Sequence, residues 1–410
     1  MLLKFLFLTS TRVYSTGIGF LLIILSAELL GFDTRGKIAV AITWMTTFFT
    51  FMHMSIGQLG YKIALDSKDR VTEIISYFVA YDLIITIIIG IFLPLIYNSF
   101  IPNNIISLSE LYYSLPLVTI MMLEQQLLSL FLAFKDTKVL NRISIINKTA
   151  SLVITTILML VFPSYLTFII CMFLLSTSMA YSYYFNINNK KYFSFSFSEF
   201  ISLIRNGISF HFFNAFGYIG YTIFPLLIIP KFVDSNKFAL YEIGFKLISL
   251  VMIIATSCQL LAMRSFSKEK NIKRSWEQFL YIVLIYFTVS YFVVIVYFIA
   301  FPFLIEFNFL SKYRISLFTL KELLPFIPLI GTTAFLPTLF VNLNLLNLSA
   351  LYNFILGLIC FFLIFILSDL YGVNGIFLGL KISYFSAGIL SSIIMLYIYY
   401  SKIKGASNEF

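Results

Sequence analysis

Charged residues are scarce in this chain, and their scarcity excludes a soluble globular protein. Only 11% of its 410 residues are Asp, Glu, Lys or Arg, whereas 60% are hydrophobic. A typical soluble domain is about a quarter charged and about half apolar. A soluble core of this length could not bury so many apolar side chains. The composition therefore predicts an all-α polytopic membrane protein that crosses the bilayer as helices.

Histidine and cysteine are also scarce, which argues against metal, disulfide and nucleophilic chemistry. Neither of the two histidines lies in a sequence typical of a metal site, and each of the three cysteines lies inside an apolar segment. The cysteine spacing fits no disulfide framework. The chain also has no glycine-rich phosphate loop and no nucleophile elbow. We therefore expect no metal, no cofactor and no enzyme activity.

Apolar segments long enough to cross a bilayer occur throughout the chain. A transmembrane helix needs about twenty apolar residues, and twelve segments approach this length. They cover residues 12–31, 38–58, 72–96, 111–134, 144–163, 166–186, 207–229, 239–263, 279–304, 323–343, 350–368 and 374–399. Most Lys and Arg residues lie in the connections on the side of the N-terminus, so the positive-inside rule places both termini in the cytoplasm. The net charge of +10 thus reflects membrane orientation, and we expect no nucleic acid partner.

Two similar stretches indicate that the chain is a duplicated bundle. Residues Gly31–Lys37 and Val233–Lys237 each precede a long apolar segment and then a basic connection. The longest connection contains residues 191–206, which we predict to be a cytoplasmic linker. The sequence therefore predicts two six-helix bundles, residues 1–190 and 207–410, in a parallel repeat around a central cavity.

Three short motifs resemble those of one transporter family. Leu30-Gly31 followed by Gly36 is similar to the turn between the first two helices in the polysaccharide-exporter branch of the multidrug/oligosaccharidyl-lipid/polysaccharide flippase superfamily. The stretch Leu370–Gly375 resembles the Tyr-Gly-x-x-Gly turn ahead of that family's last helix. The stretch Ala239–Lys246 resembles the start of its eighth helix. The chain length, the twelve spans and the short connections fit the family as well.

This resemblance implies a flippase of the bacterial cytoplasmic (inner) membrane. Its substrate would be an undecaprenyl-pyrophosphate-linked oligosaccharide repeat unit, translocated by alternating access for the synthesis of O-antigen (lipopolysaccharide) or capsular polysaccharide. Its partners would be that polyprenyl-linked substrate, the membrane lipids and other polysaccharide assembly proteins. Glu28 and Phe32 depart from the family pattern, which often has a basic residue and a proline at these positions.

Two alternative functions stay open. A cation-coupled multidrug or small-molecule exporter of a related branch usually relies on acidic cavity residues, whereas this chain has a basic balance. A polysaccharide polymerase, which is an enzyme, typically has one large external loop, and the external connections between these spans are short. The flippase is therefore the preferred interpretation.

Charged residues inside the predicted spans are the candidates for substrate binding, because a charge at the bilayer centre costs about 3 kcal/mol on insertion scales. Glu242 and Lys246 are four residues apart and share one face of a helix. We expect Lys246 to face the cavity and bind phosphate; the alternative is an intrahelical pair that lowers the insertion cost. Arg12 either binds phosphate or extends to the interface, and His211 either serves the cavity or only packs.

Four further polar residues within spans are candidates for ion coupling or for structural roles. Asp82 and Glu124 lie near mid-membrane, where an acid must face other helices rather than lipid. Each either pairs with a cation in its own half or binds a coupling cation. His53 is a candidate for a proton-coupled step because histidine titrates near neutral pH. Lys381 is expected to need a partner that the sequence does not identify.

Overall fold

The computed structural model describes most of the chain as helices joined by short connections. It describes residues 2–54, 56–66, 68–101, 105–135, 137–187, 195–266, 272–307, 310–333, 336, 340 and 346–404. Residues 188–194, which include the beginning of the predicted linker 191–206, lie outside this part. The later linker residues from Phe197 onward already belong to a helix.

The first two predicted spans correspond to two helical parts of α1 (Leu2–Met52), which are separated by a break at Gly31. This residue has φ 80° and ψ 157°, a conformation that glycine adopts readily because it has no Cβ. The sequence predicts a polar turn over residues 32–37, but these residues are helical. Asp33 lies at the start of the second helical part, where a negative charge interacts favourably with the helix dipole. The turn therefore needs only Gly31.

Seven helices follow in the first half of the chain. They are α2 (Ile56–Asp66), α3 (Val71–Phe100), α4 (Leu108–Ser114), α5 (Pro116–Phe134), α6 (Thr137–Val161), α7 (Tyr165–Ile187) and α8 (Phe197–Tyr218). Along α3, Ile87, Ile91 and Leu95 are all more than 60% exposed, whereas Phe78 and Leu93 are buried. Such a continuous exposed apolar face indicates contact with lipid.

The seventh predicted span, residues 207–229, is irregular. After α8 the chain forms a π-helical turn, a short helix α9 (Phe224–Ile228) and a 3₁₀ turn. Pro225 and Pro230 lie in this segment and cannot donate backbone hydrogen bonds, which disfavours regular α-helical hydrogen bonding there. Hydropathy alone does not detect such an interruption.

Six further helices complete the described part of the chain. They are α10 (Ser235–Phe266), α11 (Ile272–Glu306), α12 (Arg314–Leu323), α13 (Ile327–Ile330), α14 (Leu346–Tyr371) and α15 (Val373–Ile398). The predicted span 323–343 is interrupted by a 3₁₀ turn at Leu324–Phe326. Several of its later residues, among them Pro337, lie outside the described part.

Nine helices in the described part are long and apolar enough to cross a membrane. The sequence predicts twelve spans. The difference arises because α1 contains the first two predicted spans on either side of its break at Gly31, and because spans 207–229 and 323–343 contain non-α turns. The other predicted spans each overlap an observed one. The chain is therefore a multi-pass helical membrane protein, and the count of twelve stays a prediction.

The helices belong to two compact units. The N-terminal unit comprises Gly17–Ile219 and Leu226–Ala239, and the C-terminal unit comprises Met1–Thr16, Gly220–Pro225 and Leu240–Phe410. In the N-terminal unit, α5 packs against α2, α3 and α7, and α6 packs against α7. In the C-terminal unit, α14 packs along α15, and α12 and α13 contact both α11 and α15. The bundle boundaries expected from the sequence stay a prediction.

The two similar stretches of the sequence contact each other within the N-terminal unit. Ser235, at the start of α10, donates its hydroxyl hydrogen to the carboxylate of Asp33 in α1. One turn further along α1, a Cβ at Gly36 would overlap the backbone carbonyl group of Ser235. The absence of a side chain at Gly36 therefore allows the two helices to approach closely.

Glycine also sets the distance between α14 and α15. Gly372, in the turn between them, has φ 57°, and a Cβ at Gly375 would overlap the carbonyl oxygen of Leu367. A Cβ at Gly379 would lie 3.0 Å from the backbone nitrogen of Ile364. This pair of helices therefore packs backbone to backbone, as small residues permit in membranes.

We expect Gly375→Ala to lower the midpoint of thermal unfolding in detergent, because overpacking of a close contact costs about 1–3 kcal/mol. Gly17→Ala is the matched control, since a Cβ at Gly17 would meet nothing within 4 Å. Melting curves of the two purified variants test this prediction. Equal midpoints for both variants would contradict the close packing of α14 on α15.

Candidate functional site

Helix α10 carries two charged residues well inside its span. Glu242 is buried, with its side chain 3% exposed, whereas the side chain of Lys246 is 41% exposed. Lys246 Nζ lies 4.0 Å from Glu242 Oε1, so the i,i+4 pair forms at the outer limit of an ion pair. Lys246 is eleven residues into α10, or about 16 Å along the helix axis. That depth is about half of a hydrocarbon core of roughly 30 Å.

A second ion pair joins two neighbouring helices of the C-terminal unit. Lys381 of α15 donates to the carboxylate of Glu322 in α12. The side chains are 27% and 47% exposed, respectively. Lys381 thus has a partner, which the sequence could not identify because the two residues are far apart along the chain.

Packing contacts bring the two ion pairs to the same level of the unit. Gly244 of α10 lies directly against Thr319 of α12. Phe245 of α10 stacks on Phe377 of α15, with ring centroids 6.4 Å apart. These two contacts join α10 to α12 and to α15, and along each helix a charged residue lies within about one turn of the contact. The four residues form what we term the charged cluster: Glu242, Lys246, Glu322 and Lys381.

Three members of the charged cluster are partly exposed, and we expect their exposed parts to face water rather than lipid. Charges at membrane depth are excluded from lipid and face either a partner or an aqueous space. Lys246, Glu322 and Lys381 each have a partner and yet keep substantial exposed area. A partly hydrated ion pair contributes little stability, so an ammonium group can exchange its carboxylate for another anion. A phosphate bound in this way would receive charge-assisted hydrogen bonds.

The two histidines, which are far apart in sequence, lie together in the N-terminal unit. The ring centroids of His53 and His211 are 4.4 Å apart. His211 is buried, and its Nε2 lies 2.8 Å from the carbonyl oxygen of Thr50. Within the described residues no group of three or more potential metal ligands occurs. The pair is thus packed and hydrogen-bonded in the described structure.

The two acids that were predicted near mid-membrane, Asp82 and Glu124, have different environments. Asp82 of α3 accepts a hydrogen bond from Gln126 of α5. Glu124 interacts with Ser176 of α7 and with the ammonium group of Lys148 in α6. Lys148 is therefore a cation in the same unit as Glu124. One of the two interpretations of the sequence was that Glu124 pairs with such a cation.

Arg12 and Arg35 occupy contrasting positions on α1. Arg12 is half-buried and forms no ion pair with a described side chain. Arg35, which the sequence places in an external turn, is only 1% exposed. Its guanidinium lies over the ring of Phe168 at 5.8 Å from the centroid. Sequence analysis missed Arg35, because the polar residues around it are typical of a solvent-exposed turn.

A polar contact connects the start of α8 to the beginning of α3. Arg70 Nε donates to Glu73 Oε2 at 2.9 Å, and its Nη2 donates to the carboxylate of Glu199 in α8. The hydrogen bond with Glu73 raises the pKa of Arg70 above its ordinary value. Tyr77 donates to Glu73 as well. This contact anchors the later residues of the predicted linker to the N-terminal unit.

Glu322 and Lys148 are the charged residues that sequence analysis did not select. Glu322 lies just ahead of the predicted span 323–343, so a hydropathy window assigns it to a connection. Helix α12 extends back to Arg314, and Glu322 is therefore inside the folded unit. A search for acids at the margins of spans would have found it. Lys148 lies in α6 and Glu124 in α5. The sequence alone does not show that these two helices place the two residues near each other.

Solved structures of transporters have the same fold as this chain, although no family model and no curated protein sequence matches it. A multidrug resistance MATE family transporter of the MOP superfamily, inward-facing, has a TM-score of 0.70 at 13% identity, over 96% of both chains. The lipid II flippase MurJ, in an inward closed conformation, has a TM-score of 0.70 at 16% identity, and the match covers 97% of this chain and 93% of MurJ. A mutant of the Vibrio cholerae MATE transporter VcmN has a TM-score of 0.66 at 11% identity, and the match covers 98% of this chain and 97% of that transporter. These matches are transporters and not enzymes, and the chain has the fold of MOP superfamily transporters.

We expect water-soluble thiol reagents to modify Lys246→Cys and Lys381→Cys in membranes, because an exposed charge at membrane depth should face water. Ile295→Cys is the control: Ile295 is 57% exposed but belongs to an apolar face of α11. The native cysteines are buried, so background labelling is low. Labelling of Ile295→Cys as fast as that of Lys246→Cys would show that the charged cluster does not line an aqueous space.

Proposed function

We propose that this chain is a flippase for undecaprenyl-pyrophosphate-linked oligosaccharide repeat units in the bacterial cytoplasmic membrane. It would supply O-antigen or capsular polysaccharide synthesis and work by alternating access. The observation that carries the proposal is the charged cluster, which presents two partly exposed ammonium groups at membrane depth. A lipid-linked substrate brings a pyrophosphate to this depth, and ammonium groups are the natural ligands for it.

Exchange of ion-pair partners gives the cluster a simple binding chemistry. In the resting state, Glu242 and Glu322 each neutralise one lysine. A pyrophosphate competes for the same ammonium groups with more charge and more acceptor oxygens. When the substrate dissociates, each lysine would form its ion pair with the carboxylate again. This competition would help the anion to leave the site. Neutral groups nearby, such as the Ser249 hydroxyl one turn beyond Lys246, would bind sugar hydroxyls.

The topology belongs to the same proposal. We propose twelve spans in two six-helix bundles, residues 1–190 and 207–410, with both termini in the cytoplasm. The positive-inside distribution of Lys and Arg supports this orientation. The fold shared with the lipid II flippase MurJ supports a lipid substrate.

A cation-coupled multidrug exporter is the second candidate function. MATE multidrug transporters have the same fold as this chain, with a TM-score that reaches 0.70. The buried acids Asp82 and Glu124 are the residues that would serve such a mechanism. The flippase is preferred because the exposed site residues in the C-terminal unit include two cations, which favour an anionic cargo.

Deletion of the gene distinguishes the two functions. For a flippase, we expect loss of surface polysaccharide and accumulation of the lipid-linked precursor on the cytoplasmic face, since synthesis continues while translocation stops. Surface glycan staining and extraction of the precursor measure both effects. An unchanged surface glycan combined with altered drug sensitivity would instead support the exporter.

Lys246→Ala should reduce translocation about 10- to 100-fold at normal protein level, because a hydrogen bond to a charged group contributes about 1.5–3 kcal/mol. Lys246→Arg should retain part of the activity, since the positive charge remains. Lys237→Ala is the matched control, because Lys237 lies on the same helix, pairs with Asp234 and is 59% exposed. Complementation of the deletion strain with each variant measures the effect. Full activity of Lys246→Ala would remove this residue from the site.

A further inference from the structure

Two buried oxygen atoms in the N-terminal unit lack a hydrogen-bond donor. Asp82 and Gln126 are 1% and 2% exposed, and Gln126 Nε2 donates to Asp82 Oδ1 at 2.9 Å. The second oxygen of the carboxyl group, Asp82 Oδ2, and the amide oxygen, Gln126 Oε1, are buried and accept no hydrogen bond from any described residue. Buried polar atoms are nearly always paired, so two such atoms on adjoining groups require an explanation.

An ionised Asp82 does not explain this arrangement. A buried carboxylate is stable only when charged partners or several donors compensate for its lost hydration. Asp82 has one neutral donor and forms no ion pair within the part of the chain that the structure describes. The charge would therefore remain almost uncompensated in the interior of a membrane protein.

The titratable groups on the surrounding helices are bound elsewhere. On α3 itself, the Tyr81 hydroxyl donates to the carbonyl oxygen of Met52. On α5, Glu124 interacts with Ser176 and Lys148. On α4, the carboxylate of Glu110 accepts from Ser107 and lies 4.0 Å from Lys37. On α2, Tyr61 is exposed, and the side chains of Lys62 and Asp66 lie outside the described set.

One proton satisfies both unpaired oxygens. A carboxylic acid and a primary amide are planar groups with complementary edges: the amide N–H donates to one carboxyl oxygen, and the acid O–H donates to the amide oxygen. The first of these hydrogen bonds is present at 2.9 Å. The second requires that Asp82 Oδ2 carries a hydrogen and that the two planar groups meet edge to edge. We propose that Asp82 and Gln126 form a proton-binding site in which Asp82 Oδ2 holds the proton and donates it to Gln126 Oε1.

A metal cation fits the same atoms less well. Hard cations take six or more oxygen ligands, whereas Asp82 and Gln126 provide two unpaired oxygens. The hydroxyl of Thr86, one turn further along α3, already donates to the Asp82 carbonyl oxygen and lies 2.6 Å from the Thr119 hydroxyl. The site exchanges one proton with water and changes no other bond. The proposal concerns only the binding of a proton, and it does not depend on which cargo the protein transports.

Infrared difference spectroscopy of the purified protein tests this proposal. At neutral pH, the spectrum of wild type minus Asp82→Asn should contain the C=O band of a protonated carboxyl group, and this band should move in heavy water. Gln126→Leu should shift the band, because the acid loses its acceptor. Glu124→Gln is the control and should leave the Asp82 band in place. Absence of the band from wild type would overturn the proposal.

Stability measurements separate a proton from a cation. Asp82→Asn should keep the melting temperature of wild type, because the asparagine amide can donate to Gln126 Oε1 and accept from Gln126 Nε2. A melting temperature that rises with sodium or potassium in wild type, but not in Asp82→Asn, would show a cation site and overturn the proposal. If Asp82→Asn does not fold, the band shift in Gln126→Leu still decides between a protonated and an ionised Asp82.

Discussion

The cost of placing charge in hydrocarbon is the constraint on which the rest of this structure depends. The two units meet it differently. The N-terminal unit buries Asp82 against a neutral amide and brings Glu124 to Lys148. The C-terminal unit instead leaves Lys246 and Lys381 partly exposed beside their carboxylates. Burial is typical of a charged group that has a structural role or binds a proton. Partial exposure is typical of a group that binds a ligand.

Close helix packing positions the exposed charges. The contact of Gly244 with Thr319 brings α10 to α12, and the ring pair Phe245–Phe377 brings α10 to α15. Because Lys246, Glu322 and Lys381 each lie within about one turn of these contacts, the positions of the packing residues determine the level of each charge along its helix. The proposed function therefore depends on side chains that would themselves contact no substrate.

Local patterns in the sequence predicted what depends on neighbouring residues. The span 239–263 matches α10, and the spacing of Glu242 and Lys246 predicted their shared face, because both follow from helix geometry. Hydropathy could not reveal the interruption near Pro225, since averaging over a window hides a local loss of donors. The pairing of Lys381 with Glu322 joins residues 59 positions apart, and no local pattern contains that information. The site roles expected for Arg12 and His211 stay predictions.

The composition of the charged cluster has an electrical consequence. Two ammonium groups and two carboxylates give it no net charge. A membrane potential of 100 mV changes the energy of one elementary charge that crosses by about 2.3 kcal/mol. Displacement of this neutral set through the membrane field requires almost no electrical work. In the alternating-access cycle that we propose, the voltage would therefore act at this cluster only on the bound anion and its accompanying ions, and the empty cluster would add no voltage dependence to the return step.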